Sequence, residues 1–381
     1  MPKTFVVAPD SFKESMTAEQ ACQAMQRGIR KVYPDAVCIS VPMADGGEGT
    51  VDALIAAQGG QKIDCEVSGP LAEHKIKTYF GLVNQGKTAV IEMAKANGIH
   101  LLESSQRNPM LTSTYGTGEM IKQALDRGIE KIIVGLGGSV TNDGGAGMAQ
   151  ALGVQFFNST GEAIQVCGGN LDQINQIDIS QLDARLKNTE ILIASDVNNP
   201  LCGPNGASAI FGPQKGATPE MVQQLDHNLN HFADLVEASL GISIKNVAGA
   251  GAAGGLGFGL MAFAGAKLQS GVELIIEQSR LAEKIAQADY VLTGEGKIDS
   301  QTALGKTPFG VAQVAQQFNK PVLAFAGLVG EGIESLFDAG FTQIVGINPP
   351  DCSLEEALKN GEVNLEKAVS KTIKNIWEPR T

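Results

Sequence analysis

The first apolar run, from Thr4 to Asp10, is short, rich in Val and Ala, and stopped by Pro-Asp, the pattern of a buried strand. Thr17-Ala-Glu-Gln20 then matches a capping box, and Ala21, Met25, Ile29 and Val32 recur at spacings of four and three, so a helix is predicted up to Pro34. A second strand is predicted from Ala36 to Met43, after which Asp45-Gly-Gly-Glu-Gly-Thr50 opens another helix. The C-terminal hundred residues repeat this alternation. Strands are predicted from Tyr290 to Thr293, Val322 to Ala326 and Thr342 to Ile347, with helices from Thr307 to Phe318 and Ile333 to Ala339 between them. Leu365, Val369, Ile373 and Ile376 mark one face of a last helix. Two strands at the front and three at the back compose a five-stranded parallel sheet. The expectation is an α/β protein with a discontinuous parallel-sheet domain, residues 1–64 and 286–381, and residues 65–285 inserted as a second α/β domain.

Within the insert, Lys131 to Gly138 and Glu190 to Asp196 are β-branched runs ending in turn residues, and both are predicted as buried strands. Thr218-Pro219 suits an N-cap with Pro at the first helical position, and Val222, Leu225, Leu229, Phe232, Val236 and Leu240 continue one stripe. Asn246 to Ala266 carries no charge, but fourteen of its 21 residues are Gly or Ala. That is too weakly apolar for a membrane span and reads as a Gly-rich loop running into a buried helix.

Composition narrows the chemistry. Glycine supplies 46 of 381 residues, about 12% against an ordinary 7% or so, with no G-X-Y period, so the excess must sit in particular loops. The net charge of −12 argues against nucleic acid or an anionic membrane as partner. A small anionic ligand would have to draw on backbone N–H groups and a few local lysines. Cys22, Cys38, Cys65, Cys167, Cys202 and Cys352 show no metal spacing and read as reduced thiols, and the N-terminus shows no secretory signal, so a cytoplasmic enzyme is expected.

The glycines gather in Asp45–Thr50, Thr114–Gly118, Gly135–Gly145, Gly249–Gly255 and Thr293–Lys297, mixed with Ser, Thr, Asp and Asn. A single block of this kind is usually a tight turn. Five of them, with Ser139, Thr141 and Asn142 beside the glycines, favour a phosphate-bearing ligand. Asp10, Asp45, Asp196, Glu295 and Asp299 fall at strand ends, where they could hold Mg²⁺ or accept a hydroxyl proton, although two or three would merely cap turns. Lys13, Lys215, Lys297 and Lys306 lie in these loops, where they would neutralise transferring phosphate if they are not simply solvated. Gly249–Gly254 fits G-x-G-x-x-G, but neither a firm preceding strand nor a following acidic strand end accompanies it, so an NAD-dependent oxidoreductase is a minor alternative. Ser300–Thr307 resembles a P-loop with Ser at its first glycine, and no strand is predicted to lead into it. A non-catalytic small-anion sensor is the third reading.

Ala8-Pro-Asp-Ser-Phe-Lys-Glu-Ser15, Pro42–Thr50, Gly135–Gly145, Ser195-Asp-Val-Asn-Asn-Pro200, Phe211-Gly-Pro-Gln-Lys-Gly216 and Leu292–Asp299 together resemble the bacterial glycerate kinase type 1 family, with Val140 where the family has Ala. The resemblance implies Mg²⁺-dependent phosphorylation of D-glycerate by ATP, usually at the 2-hydroxyl. It also implies a flavodoxin-like domain split between the chain ends, with an inserted α/β domain. Residue chemistry then suggests in-line phosphoryl transfer in an interdomain cleft. Asp196 would be base or metal ligand, and Ser11, Lys13 and Asp45 would bind glycerate. Ser139, Thr141, Asn142 and Lys215 would face the nucleotide, and Glu295 and Asp299 would hold the metal. Which loop meets which ligand stays open, as does a homo-oligomer.

Overall fold

A computed structural model describes residues 2–71 and 74–377; Met1, residues 72–73 and residues 378–381, all falling within the expected domain ranges, lie outside the described residues. Helix Ala18–Val32 starts where the capping box predicts: Gln20 donates its N–H to Thr17 Oγ1 at 3.2 Å, and Thr17 donates its own to Gln20 Oε1 at 2.8 Å. Its apolar face packs against Leu365, Val369 and Ile373 of helix Gly361–Trp377. These two helices cover a five-stranded parallel sheet in the spatial order Phe341–Gly346, Val322–Val329, Tyr290–Ile298, Thr4–Val7, Val37–Ser40. Val6 sits in register with Val291 on one side and Ile39 on the other, so the N-terminal strand pairs with one about 285 residues away.

The chain divides into two units. Unit 1 holds the described residues up to 45, residues 52–59 and those from 272 on; unit 2 holds residues 46–51 and 60–271. Unit 2 has a six-stranded mixed sheet in the order Lys267–Gln269, Glu190–Ala194, Lys131–Gly135, Thr88–Glu92, Lys75–Val83, Gly60–Ser68. Its first four strands are parallel, and the last two form an antiparallel edge. Helix Pro219–Leu240 begins at the Thr218 cap, which accepts the Met221 N–H at 3.3 Å, and ends at the left-handed Gly241. Its Phe232 packs with Phe156, Phe258 and Phe263 as the aromatic part of the core.

The structure corrects several expected boundaries. The strand starting at Tyr290 runs on to Ile298, because Glu295, Lys297 and Ile298 keep register with Ala326, Leu328 and Val329 of the neighbouring strand. The two strands predicted in the insert stop at Gly135 and Ala194, where the glycine-rich and asparagine-rich turns begin. The Gly-Ala run holds helix Ala252–Ala264, and among the described residues no helix is long and apolar enough to cross a membrane.

Candidate active site

Two clusters of polar side chains form where strands give way to loops, one in each unit. In unit 1, Asp10 lies past the strand Thr4–Val7, and Glu295 lies on the adjacent strand Tyr290–Ile298. Asp10 Oδ1 accepts the Ser11 N–H at 2.6 Å, and Oδ2 accepts the Thr307 hydroxyl at 2.6 Å. Burial pushes the Asp10 carboxyl up to about 6, and the charge of Asp45 adds to the shift. Burial likewise raises Glu295 to about 7, against the pull of Lys306 at 3.7 Å and the Thr302 hydroxyl at 3.0 Å; the charges of Asp10 and Asp299 push the same way as burial. Asp299 behaves differently. It accepts the Gln301 N–H at 3.0 Å as the cap of the turn Ser300–Leu304 and pairs with Lys297 at 2.8 Å, which holds it below the usual carboxylate range.

Of the expected substrate residues, Ser11 is half-buried beside Asp10, while Lys13 and Asp45 are exposed. The backbone nitrogen of Lys13 approaches Gly296 closely enough that a Cβ at 296 would sit 3.5 Å from it. Two neighbouring carboxylates, both raised by burial, Asp10 further by the charge of Asp45 and Glu295 by those of Asp10 and Asp299, form a donor set that a divalent cation would relieve. No group of three or more His, Cys, Asp or Glu among the described residues is arranged to hold a metal alone. The set therefore fits Mg²⁺ shared with phosphate oxygens and water rather than a protein-only cage.

Ser300–Thr307 follows a strand after all, since Tyr290–Ile298 ends two residues before it. Four of its N–H groups are nevertheless already bonded: Ser300 to the Glu331 carbonyl, Gln301 to Asp299 Oδ1, Thr302 to the Asp299 carbonyl, and Lys306 to the Thr302 carbonyl. A phosphate cradle needs those groups free, so the segment is a capped turn.

In unit 2 the loop after Lys131–Gly135 carries the second cluster. Lys215 is 1% exposed; its Nζ donates to Ser139 Oγ at 2.8 Å and to the Thr141 carbonyl at 2.7 Å. Burial lowers this ammonium to about 7, and the charge of Asp143 opposes that shift. Asn142 donates through Nδ2 to the Ser208 hydroxyl at 2.9 Å, and the buried Thr141 Oγ1 and Asn142 Oδ1 have no partner among the described residues. Ser139, Thr141, Asn142 and Lys215, expected on one ligand, are thus brought together. Asp196 lies in the same unit past the end of Glu190–Ala194; it is exposed, and its Oδ1 accepts the Gly271 N–H at 3.1 Å.

Asp143 is the residue that the sequence reading leaves out. It is fully buried, and its Oδ2 accepts the Thr114 N–H at 2.7 Å, the Thr114 hydroxyl at 2.9 Å and the Gly147 N–H at 3.2 Å, while Oδ1 accepts the Gly145 N–H at 3.2 Å. It ties the loop to the start of helix Tyr115–Leu125. An aspartate inside a glycine-rich block reads as a turn former, and the available signal is that Thr114 opens another such block.

Several glycines prove to serve packing. A Cβ on Gly137 would lie 2.5 Å from the Gly47 Cα, and one on Gly254 would lie 1.9 Å from the Thr141 carbonyl oxygen, with φ at +68°. The G-x-G-x-x-G match is accounted for by this backbone contact with the Thr141–Gly145 loop.

The model of the Glycerate kinase family matches residues 5–377. The chain is 53% identical over 361 residues to a glycerate kinase of Haemophilus influenzae, covering 95% of both chains. It is 48% identical over 363 residues to a glycerate 2-kinase of Escherichia coli, again covering 95% of both. A crystal structure from Salmonella typhimurium, described as a glycerate kinase 2, superposes with a TM-score of 0.89 at 44% identity over 99% of each chain.

Proposed function

Because the chain belongs to the glycerate kinase family, we propose that it transfers the γ-phosphoryl group of ATP to D-glycerate, giving ADP and 2-phospho-D-glycerate. The observation that carries this reading is the buried Lys215 ammonium, set against Ser139 and the Thr141 carbonyl inside a protein of net charge −12. A desolvated cation is costly, and retaining one beside hydroxyls with unspent protons suits a site that receives an anion. The name of the Escherichia coli relative favours the 2-hydroxyl as acceptor.

Phosphoryl transfer asks little covalent chemistry of the protein; it asks for in-line positioning and for compensation of charge. In this reading Ser139, Thr141, Asn142 and Lys215 serve the nucleotide phosphates, while Ser11, Lys13 and Asp45 serve the glycerate carboxylate and hydroxyls. Glu295, with Asp10 as its neighbour, is the better metal ligand of the unit 1 carboxylates, because Asp299 already neutralises Lys297 and caps a turn. Mg²⁺ held there together with ATP oxygens would offset the charge that develops on the transferring group. Asp196 accepts the Gly271 N–H through one oxygen and is exposed at a strand end, and in this reading its carboxylate takes the hydroxyl proton or binds metal. The reading places the enzyme in the cytoplasm, where ATP is supplied and where six free thiols are stable.

The test is incubation of the purified protein with ATP, Mg²⁺ and D-glycerate, followed by phosphorus and proton NMR of the product. A phosphate on carbon 2 is expected. Folded protein that forms no phosphoglycerate would overturn the activity, and a phosphate on carbon 3 would overturn the position.

A further inference from the structure

Lys215 is too enclosed to touch a large ligand. Its side chain is 1% exposed, and two of its three N–H groups are used on Ser139 Oγ and the Thr141 carbonyl. Ser139 is 8% exposed and lies nearer the surface of the same cluster. A serine hydroxyl has one proton to give and two lone pairs to receive with, and Lys215 fills one of those lone pairs. The Ser139 proton is then directed away from Nζ, and it has no acceptor among the hydrogen bonds of the described residues. Nearby, the Thr141 hydroxyl is also without a partner.

We propose that Lys215 is a positioning residue rather than a phosphate contact: it fixes and polarises the Ser139 hydroxyl so that this hydroxyl donates its proton to a phosphate oxygen of the nucleotide. The inference rests on the nucleotide reading of this loop. A hydroxyl that accepts from an ammonium is a stronger donor than an isolated one, since each bond in the chain polarises the next. It is also aimed before the ligand arrives, which lowers the ordering cost of binding. The charged and titratable groups around Lys215 are few. Asp143 supports the ammonium, the Cys167 thiol lies within the field of Asp143, and Arg107, whose backbone touches Gly216, turns its Nε to the Leu102 carbonyl. Burial brings the Lys215 ammonium to about 7, so the polarising charge is lost as pH rises past neutrality unless bound phosphate holds it.

The experiment is a double-mutant cycle of Lys215→Met and Ser139→Ala. It reads the affinity for MgATP by calorimetry without glycerate, kcat and KM for ATP, and the thermal midpoint of each variant. Each single variant is expected to weaken MgATP ~10–100-fold, the scale of one charge-assisted hydrogen bond, with kcat changed far less. The double variant should fall within about 3-fold of Ser139→Ala, because both substitutions remove the same contact. The rise of KM for ATP above neutral pH in the parent should be absent from Lys215→Met. Multiplicative losses in the double variant, or a large loss in Lys215→Met with Ser139→Ala near normal, would overturn the proposal in favour of direct contact. If Lys215→Met proves unfolded, Ser139→Ala decides alone: unchanged MgATP affinity overturns the proposal, and a loss within the stated range supports it. A parent protein that binds no MgATP would instead refute the nucleotide reading itself.

Discussion

At the scale of single residues, the site is built from groups held in protonation states that folding dislikes. Asp10 titrates near 3.8 when unfolded and at about 6 in the fold, where burial and the charge of Asp45 disfavour the carboxylate. A raised carboxyl binds a proton in the native state that the unfolded chain has already released, so stability is lost as pH rises from about 4 to about 6 and stays lower above that. Asn at this position keeps an acceptor for the Ser11 N–H and can donate to the Thr307 hydroxyl. Asp10→Asn is therefore expected to match the parent in stability near pH 4 and to exceed it by about 1–3 kcal/mol at pH 8, measured by urea denaturation, while losing activity. A variant that is no more stable at pH 8 would show that Asp10 is not a strained carboxylate. Asp196 offers the opposite case. Its bond to the Gly271 N–H needs only a carbonyl-type oxygen, so Asp196→Asn should keep the parent melting point. A base or metal ligand would lose ~10²–10⁴-fold in kcat. Turnover within a few fold of the parent would reduce Asp196 to an organiser of its loop.

At the scale of elements, glycine decides how closely backbones approach. Ala253, Gly254 and Gly255 all adopt left-handed conformations at the start of helix Ala252–Ala264, and Gly254 lies over the Thr141 carbonyl, the same carbonyl that receives Lys215 Nζ. Gly254→Ala would add a Cβ to a left-handed residue 1.9 Å from that oxygen. We expect a loss of roughly 2–4 kcal/mol in unfolding free energy together with weaker ATP binding, because the loop that carries Ser139 and Thr141 must shift. Full stability and full ATP affinity would show that the contact can relax at little cost. Much of this level was legible in advance. The capping box at Thr17–Gln20 and the Thr218-Pro219 start both lie where local hydrogen bonding alone fixes a helix terminus. The antiparallel edge Gly60–Ser68 with Lys75–Val83 carries a local signal too, since Lys62 to Ser68 alternates polar and apolar residues, but which strand it pairs with is decided by contacts that no local pattern encodes.

For the whole molecule, the excess of twelve negative charges sets a field that opposes both anionic substrates at a distance, while binding is left to the buried and local cations. Raising salt from about 10 mM to about 150 mM shortens the screening length from about 30 Å to about 8 Å, which should relieve that repulsion. The expected result is a kcat/KM for MgATP that stays level or rises over this range, measured at fixed free Mg²⁺. A steep fall would mean that long-range attraction by exposed lysines such as Lys13 outweighs the net charge.

The sequence by itself determined the alternation of strands and helices, the parallel five-stranded sheet and the polar loops, because period, capping and turn chemistry act over a few neighbouring residues. Tertiary structure decided which of those loops gather buried ionisable groups. Only the pairing of strands about 285 residues apart brings Asp10 beside Glu295, where burial raises both carboxyls and the charge of Asp10 adds to the shift of Glu295. Only the packing of residue 215 against residues 139–143 makes one lysine a buried cation while Lys297 stays a solvent-facing partner of Asp299. Burial and neighbouring charge set the chemistry of an ionisable group, and both depend on residues remote along the chain.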